Sequence, residues 1–245
     1  MQSLGARYQV ALFGAAGGVG AAMLNALVND AACARVFAGS RRPLQAASPK
    51  VTPFVFDLNQ EASIAQAAQH MQQAAGTVDM VLVATGLLHG PLVKPEKTFR
   101  ALDGAALAQW FAHNTIGPAL IGKHMLPLLP TTTRGIFAAL SAKVGSVSDN
   151  RLGGWHGYRA SKAALNMIIK NFAIELARRH PLALCVALHP GTVDTQLSQP
   201  FQSSLRPGQL SAPAQAAHHL LTVLDQAPCE QSGELLAWNG QVIAP

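Results

Sequence analysis

Short apolar segments alternate along the chain with longer segments in which apolar residues recur at helical spacing. The short segments predict strands at 8–13, 35–39, 51–56, 80–84, 135–140, 182–188 and 234–238. The longer segments predict helices near 19–29, 61–75, 102–129, 158–179 and 214–226. Nearly continuous apolar strands separated by helices are typical of a parallel sheet that helices cover on both faces. We therefore expect one α/β domain, 1–245, with a mostly parallel seven-stranded sheet in a doubly wound arrangement.

The composition agrees with a large buried core. Of the 245 residues, 49% are apolar and only 12% are charged. No apolar run approaches the ~20 residues that a membrane-spanning helix needs, so we expect no membrane partner. The three cysteines, Cys33, Cys185 and Cys229, are scattered and form neither a disulfide framework nor a C-x-x-C motif. The cytoplasm is therefore the expected compartment.

The net charge of +6 raises the question of a nucleic-acid partner. Lysines and arginines are dispersed, and no basic stripe with interleaved aromatic residues occurs, so we expect no nucleic-acid binding. A site for a phosphorylated small molecule is the alternative. His218 and His219 are adjacent and would point apart on a helix, and no H-x-x-x-H spacing occurs. We therefore expect no metal site.

The first predicted strand runs into a glycine-rich turn and then a helix. The turn and the first helical positions contain Gly14, Gly17, Gly18, Val19 and Gly20. Glycines allow a tight turn and a close approach of the backbone, so that a pyrophosphate can reach the helix N-terminus. An ordinary strand–helix turn is the alternative, but the order strand, glycines, helix favours a Rossmann-like dinucleotide site.

Tyr158 and Lys162 are four positions apart in a predicted helix and therefore share one face. A neighbouring ammonium favours the phenolate and lowers the tyrosine pKa toward the range in which proton transfer is efficient. The alternative is an ordinary helix with a half-buried tyrosine and a solvated lysine. The pair predicts an acid–base catalyst.

The end of the second predicted strand bears on the choice of dinucleotide. The sequence there is Gly39, Ser40, Arg41 and Arg42, with no acidic residue. An acidic side chain would bind the ribose 2′-hydroxyl, whereas arginine pairs with a 2′-phosphate. The arginines predict NADP(H), and NAD(H) is the less favoured cofactor, unless both arginines are simply solvated.

The chain resembles the classical short-chain dehydrogenase/reductase family over essentially its whole length. The family's motifs correspond here to Gly14, Gly18 and Gly20; Asp57 and Leu58; Asn114; Tyr158 and Lys162; and Pro190 and Gly191 followed by Val193 and Thr195. The stretch 141–164 also resembles the bacterial C-factor-like branch. Two departures stand out: Phe13 replaces a threonine whose hydroxyl usually braces the glycine turn, and Ala84, Thr85 and Gly86 replace the usual N-A-G.

The resemblance implies an NADP(H)-dependent transfer of hydride between the nicotinamide and a carbonyl or alcohol. It implies that Tyr158 exchanges the proton, that Lys162 lowers the tyrosine pKa, and that Asn114 anchors a water of the proton relay. Counting along the fifth strand places Ser141 as the residue that polarises the carbonyl. Ser146 and Ser148 remain alternatives for that role.

The segment between 189 and 213 is rich in proline and glycine and follows a strand end, which predicts a substrate lid at about 192–212. A merely tolerated surface loop is the alternative. His89, Trp155 and Phe201 are candidate substrate contacts for a moderately apolar small molecule. Family members often form homodimers or homotetramers, and we expect the same here. A dinucleotide-sensing or signalling protein with little turnover is the second functional hypothesis, and a binding scaffold acting through its long helices is the third.

Overall fold

The computed structural model describes residues 1–46, 48–91, 93–203 and 205–245. Its strands are β1 (Tyr8–Phe13), β2 (Cys33–Ser40), β3 (Val51–Val55), β4 (Met80–Val83), β5 (Gly135–Leu140), β6 (Ala183–His189), β7 (Thr192–Val193), β8 (Leu210–Ser211), β9 (Leu235–Ala237) and β10 (Val242–Ile243). Eight of them form one sheet in the order β10-β9-β6-β5-β4-β1-β2-β3, and β7 pairs with β8 separately. Neighbours in the large sheet are parallel except β9 and β10. The expected α/β fold with a mostly parallel sheet is confirmed.

The large sheet has eight strands instead of the expected seven. The additional strand contributes only Val242 and Ile243, which pair antiparallel with Leu236 and Leu235. The turn between the two strands contains Gly240 at a φ of +81°, a conformation that suits glycine. A strand of two residues is too short for a hydrophobic pattern to predict.

The helices are α1 (Gly18–Asn29), α2 (Glu61–Ala75), α3 (Gly104–Phe111), α4 (Gly117–Met125), α5 (His156–Leu176) and α6 (Pro213–Gln226), and short 3₁₀ turns lie at Phe99–Ala101, Leu126–Leu128, Lys143–Gly145, Gln199–Phe201 and Cys229–Gln231. The helical segment predicted near 102–129 is helical throughout most of its length, but a π-helical turn, Ala112–Ile116, separates α3 from α4. Apolar periodicity does not resolve such a local change of winding. Within the described ranges, no helix is both long and apolar enough to cross a membrane.

Helices cover both faces of the sheet because side chains alternate along each strand. Val10 and Leu12 of β1 face one layer and share a buried cluster with Met23 of α1 and Leu220 of α6. Phe13 faces the other layer and belongs to a second buried cluster, with side chains from α2, α4 and α5. These two clusters form the core on either side of the sheet.

The strand order brings the loops that follow β1 to β6 together at one edge of the sheet. β1 lies between β2 and β4, at the point where the chain order of the strands reverses. In open α/β sheets the crevice at the carboxyl ends of such strands binds ligands. The loop predicted at about 192–212 starts at this edge, and the pairing of β7 with β8 joins its two ends.

Candidate active site

The turn between β1 and α1 leaves the first amides of α1 available to a ligand. Gly14 has a φ of +97°, and a Cβ there would lie 2.9 Å from the backbone carbonyl carbon that follows β4, so only glycine fits. The N-cap of α1 is Gly17, which has no side chain to accept the amides of the first turn. Those amides belong to Gly18, Val19 and Gly20. A pyrophosphate binds readily at a helix start of this kind.

Backbone hydrogen bonds and aromatic packing hold this turn in place. The amides of Gly14 and Ala15 both donate to the carbonyl of Gly39 at the end of β2, at 3.0 and 2.9 Å. Phe13 packs edge-on against Phe54 with the ring centroids 5.2 Å apart. The missing threonine hydroxyl is therefore replaced by contacts with β2 and β3, which the local sequence does not reveal.

The turn after β2 presents two cationic side chains. Arg41 and Arg42 follow the strand directly, and both are exposed. Ser40 is buried, and its hydroxyl donates to the backbone carbonyl of Arg42, which fixes the path of the turn. β2 is the neighbour of β1, so the arginines and the glycine turn lie on adjacent strand ends.

Asp57 and Leu58 order the turn after β3. The Asp57 carboxylate accepts a hydrogen bond from the amide of Asn59 at 2.9 Å. The side chain of Leu58 packs on Gly117 at the start of α4, where a Cβ would lie 2.7 Å from Leu58 Cδ2. These contacts place both residues at the edge of the sheet that carries the glycine turn.

The loop after β4 contains an unsatisfied buried hydroxyl and faces polar groups of other elements. The amide of Ala84 donates to the carbonyl of Phe13 at 2.8 Å and so continues the sheet. Thr85 Oγ1 is buried and has no hydrogen-bond partner among the described residues. A Cβ on Gly86 would lie 3.8 Å from both Asn114 Oδ1 and Lys162 Nζ. Polar groups from two other elements therefore face this loop.

Asn114 joins three elements from within the π-helical turn. Its Oδ1 accepts the Leu87 amide at 2.8 Å, and its Nδ2 donates to the Leu87 carbonyl at 2.8 Å and to Ser161 Oγ at 3.1 Å. The side chain is fully buried. Pro118, four residues later, has no amide to give to the Asn114 carbonyl, so the α-helical hydrogen bond to that carbonyl cannot form. π-helical turns of this kind occur often at functional sites.

Tyr158 and Lys162 lie one turn apart on α5, and both are buried. Lys162 Nζ donates to the Leu140 carbonyl at 2.8 Å and lies 6.0 Å from the centroid of the Tyr158 ring. Burial raises the pKa of Tyr158 to about 12 and lowers the pKa of Lys162 to about 7. The sequence predicted a lowered tyrosine pKa, and the direction here is the opposite because burial disfavours the charged form of each group.

The candidate serines have other partners. The Ser141 hydroxyl donates to Asn166 Oδ1 on α5 at 2.7 Å. The Ser146 hydroxyl donates to the Ala244 carbonyl at 2.5 Å, and the Ser148 amide donates to the carbonyl of the last residue at 3.0 Å. Ser146 and Ser148 therefore contact the C-terminal residues.

The loop after β6 reaches the glycine turn. Gly191, which follows Pro190, has a φ of +76°. Val193 lies in β7 and is buried, and Thr195 comes two residues later. The Thr195 side chain lies directly against Gly18 at the start of α1. The structure thus brings the predicted Pro-Gly motif and the glycine motif together.

The predicted substrate contacts form an aromatic cluster beside Tyr158. The rings of Trp155 and Phe201 are 4.9 Å apart, and those of Trp155 and Tyr158 are 6.2 Å apart. His89 lies 5.9 Å from Phe201, and its Nε2 is 3.0 Å from the Gln196 carbonyl of the 192–212 loop. The loop therefore covers one side of the space above Tyr158.

Glu96 is a residue of this region that sequence analysis missed. Its side chain is buried, and both carboxylate oxygens accept the amide of Gly157 at 3.3 Å. Its backbone carbonyl accepts the amide of Trp155 at 2.5 Å. Glu96 thus binds the first turn of α5, the helix that carries Tyr158. No local pattern shows this because the partners are 61 residues apart.

Comparisons with known proteins agree with this arrangement. The family model described as short chain dehydrogenase matches residues 9–206. A 1-hydroxy-2-glutathionyl-2-methyl-3-butene dehydrogenase of Rhodococcus sp. is 31% identical over 213 residues, covering 86% of each chain. The C-signal protein of Myxococcus xanthus is 33% identical over 139 residues, covering 57% of this chain and 78% of its own.

Among solved structures, an NADPH-bound carbonyl reductase from chicken fatty liver superposes with a TM-score of 0.84 at 23% identity, covering 98% of this chain and 100% of its own. The carbonyl reductase Sniffer of D. melanogaster superposes with a TM-score of 0.85 at 20% identity, with the same coverage. At these identities the two structures support the fold. The family match carries the assignment: the chain belongs to the short-chain dehydrogenase family and is an oxidoreductase.

Proposed function

We propose that the protein is an NADP(H)-dependent carbonyl reductase or alcohol dehydrogenase in which Tyr158 exchanges the proton. One observation carries the proposal: a buried tyrosine and a buried lysine lie one helical turn apart, and Lys162 Nζ and Asn114 Oδ1 both face Gly86 in the loop after β4. An ordinary surface helix would leave Lys162 solvated. Burial of both groups beside the Gly86 loop suits a site for proton transfer.

The residues at the sheet edge fit a dinucleotide. The glycine turn offers uncapped amides to a pyrophosphate, and Thr85 Oγ1 is a buried polar atom that lacks a partner among the described residues. Arg41 and Arg42 are exposed on the adjacent strand end and can form charge-assisted pairs with a 2′-phosphate. A relative in fold was solved with NADPH bound. These features together support NADP(H) over NAD(H).

The bound dinucleotide would supply or accept hydride at the substrate carbon. In the reduction, Tyr158 is protonated at neutral pH because burial holds its pKa at about 12, so it can donate its proton to the carbonyl oxygen. Lys162, when protonated, stabilises the phenolate that this transfer leaves. Asn114 fixes the loop that carries Leu87 against α5. Its Oδ1 and Lys162 Nζ both face Gly86, which supports a role for Asn114 in holding the water of the proton relay. The assignment of Ser141 to the carbonyl oxygen stays a prediction at this point.

The substrate is proposed to be a small, moderately apolar carbonyl compound or alcohol. Trp155, Phe201 and His89 surround the space beside Tyr158 and offer mainly aromatic surface. The expected homodimer or homotetramer also stays a proposal. The exposed side chains of Met167 and Ile174 on α5 are apolar surface that self-association would cover.

The experiment that tests this function is Tyr158→Phe. The variant should bind NADPH with an affinity within about threefold of wild type, because the hydroxyl serves proton transfer and not the binding of the dinucleotide. Its kcat with aldehydes, ketones and quinones should fall by about 10²–10⁴-fold, the usual contribution of a general acid. Turnover is measured by NADPH oxidation, binding by titration, and folding by thermal unfolding.

Two outcomes would count against the proposal. A Tyr158→Phe variant with wild-type kcat would remove the tyrosine from the mechanism. Wild-type protein that binds NADPH but oxidises it with no compound of the panel would favour the dinucleotide-sensing hypothesis.

A further inference from the structure

We infer that the residue facing the substrate carbonyl at the end of β5 is Ala142 and not Ser141, so that no serine hydroxyl from this strand assists Tyr158 at the carbonyl oxygen. The inference rests on the proposed function and deepens it. It also narrows the substrate to carbonyl compounds that are already activated by an electron-withdrawing neighbour.

Ser141 points away from the catalytic space. Its amide donates to the Leu188 carbonyl at 2.7 Å, so it continues the β5–β6 ladder and shares a face with Phe137 and Ala139. That face packs under α5, and there the Ser141 hydroxyl donates its single hydrogen to Asn166 Oδ1. Asn166 lies eight residues beyond Tyr158, about 12 Å farther along the helix axis. Ser141 is only 4% exposed, and its hydroxyl already has a hydrogen-bond partner.

Ala142, the next residue, lies on the side of the strand end that faces the Tyr158 cluster. Its backbone is extended, with φ −152° and ψ 146°, so its side chain points to the opposite side from that of Ser141. It packs against the small cluster that contains Tyr158 and Trp110, together with Trp155 and Phe201. The group that this strand end presents to the substrate space is therefore a methyl group.

The alternative serines do not replace the missing hydroxyl. Ser146 is buried, and its hydroxyl donates to the Ala244 carbonyl. Ser148 is exposed and contacts the last residue through its amide. Both contacts hold the two serines against the C-terminal residues.

A missing donor at the carbonyl oxygen has a chemical consequence. Removing one such donor typically costs about 10²–10³ in kcat, because less negative charge is stabilised as it develops on the oxygen. In the step considered, the carbonyl carbon accepts hydride from NADPH, the carbonyl π pair moves to the oxygen, and the oxygen takes the Tyr158 proton, which gives the alcohol and NADP⁺. Aldehydes and 1,2-dicarbonyls need less help in this step than simple ketones. We therefore expect activated carbonyl compounds to be the substrates.

The experiment compares Ser141→Ala, Ala142→Ser and the control Ala142→Cys in the full-length protein with NADPH. The probes are para-substituted benzaldehydes, which share a shape but differ in electrophilicity, and acetophenone as an unactivated ketone. Ser141→Ala should lower kcat less than fivefold, with a lower Tm because the bond to Asn166 is lost. Ala142→Ser should raise kcat with acetophenone at least tenfold and weaken the dependence on the para substituent. Ala142→Cys, similar in size but a weak donor, should do neither.

Either of two results would overturn the inference: a loss of 100-fold or more in kcat for a folded Ser141→Ala, or an Ala142→Ser variant no more active than Ala142→Cys. The Ser141→Ala arm remains decisive if Ala142→Ser does not fold. Failure of the proposed function would look different, because then wild type would oxidise NADPH with no probe or Tyr158→Phe would retain its turnover.

Discussion

Lys162 is buried and lies one helical turn from Tyr158, so its protonation should govern the pH dependence of the reduction. Its pKa is lowered to about 7 by burial, so the ammonium is lost as pH rises through that value. The value of kcat/KM, which reports groups of the free enzyme, should therefore fall as pH rises through about 7. Lys162→Arg keeps its charge at every accessible pH and should lack this inflection. An unchanged inflection in the variant would assign it to another group.

The same lysine should leave a signature in stability. The pKa of Lys162 is about 7 in the folded protein and 10.5 for the unperturbed group. Between these values the unfolded chain binds more protons than the folded protein, so stability rises with pH from about 7 to about 10. Below pH 7 the burial of the charged Lys162 destabilises the folded protein to its full extent. Lys162→Met should therefore stabilise the dinucleotide-free protein most below pH 7. Its advantage over wild type in urea unfolding should shrink as pH rises.

Arg41 and Arg42 decide the proposed preference for NADPH. Replacing both by alanine should raise the Kd of NADPH by about 10–100-fold, because hydrogen bonds to charged groups contribute about 1.5–3 kcal/mol. The Kd of NADH should change by less than about twofold. The matched control replaces Arg178 and Arg179 by alanine. These two residues lie beyond the far end of α5, and their replacement removes the same amount of charge. Equal weakening of both dinucleotides would refute a phosphate clamp.

At the scale of elements, the start of α5 depends on a distant carboxylate. The N-cap residue Trp155 has a φ of +50° and no side-chain cap, and the Gly157 amide instead donates to Glu96. An acidic group at a helix start also interacts favourably with the helix dipole. Glu96→Ala should lower the free energy of unfolding by about 1–2 kcal/mol, comparable to loss of an N-cap.

The Glu96 substitution should also affect catalysis, because the same helix turn carries Tyr158. We expect kcat to fall while the KM for NADPH changes little, since Glu96 lies away from the glycine turn. Glu96→Gln keeps an acceptor for the amide and should restore most of both properties. Chemical denaturation and steady-state kinetics measure the two effects. A fully stable and active Glu96→Ala would show that α5 needs no such cap.

At the scale of the whole molecule, periodic signals in the sequence carry over into the structure most completely. The strand at 135–140 and the helix at 61–75 have the bounds that the apolar pattern predicts. The glycine turn, Asn114 and Tyr158 also meet at one edge, because parallel strands all end there. β10 and the break at 112–116 escape prediction, since a two-residue strand and a change of winding leave no period.

Contacts between distant residues limit what could be predicted of the site. The burial of Lys162 and the cap from Glu96 depend on side chains brought together only by the fold. The orientation of Ser141 depends on Asn166 in the same way, since strand counting alone does not tell which of two successive side chains faces the substrate. His89, Trp155 and Phe201, chosen only as candidates, do lie beside Tyr158.

The π-helical turn at Ala112–Ile116 has a consequence for the ancestry and redesign of this chain. The Gly117 amide bonds to the Ala112 carbonyl, so this turn accommodates a residue that regular winding would not. Each residue of an α-helix advances the direction of its side chain by about 100°. Deletion of a single residue from this stretch would therefore restore α-helical winding and rotate the Asn114 side chain out of the site, although the rest of the sequence would be unchanged. Sequence alignments that place a gap here compare two different helix geometries.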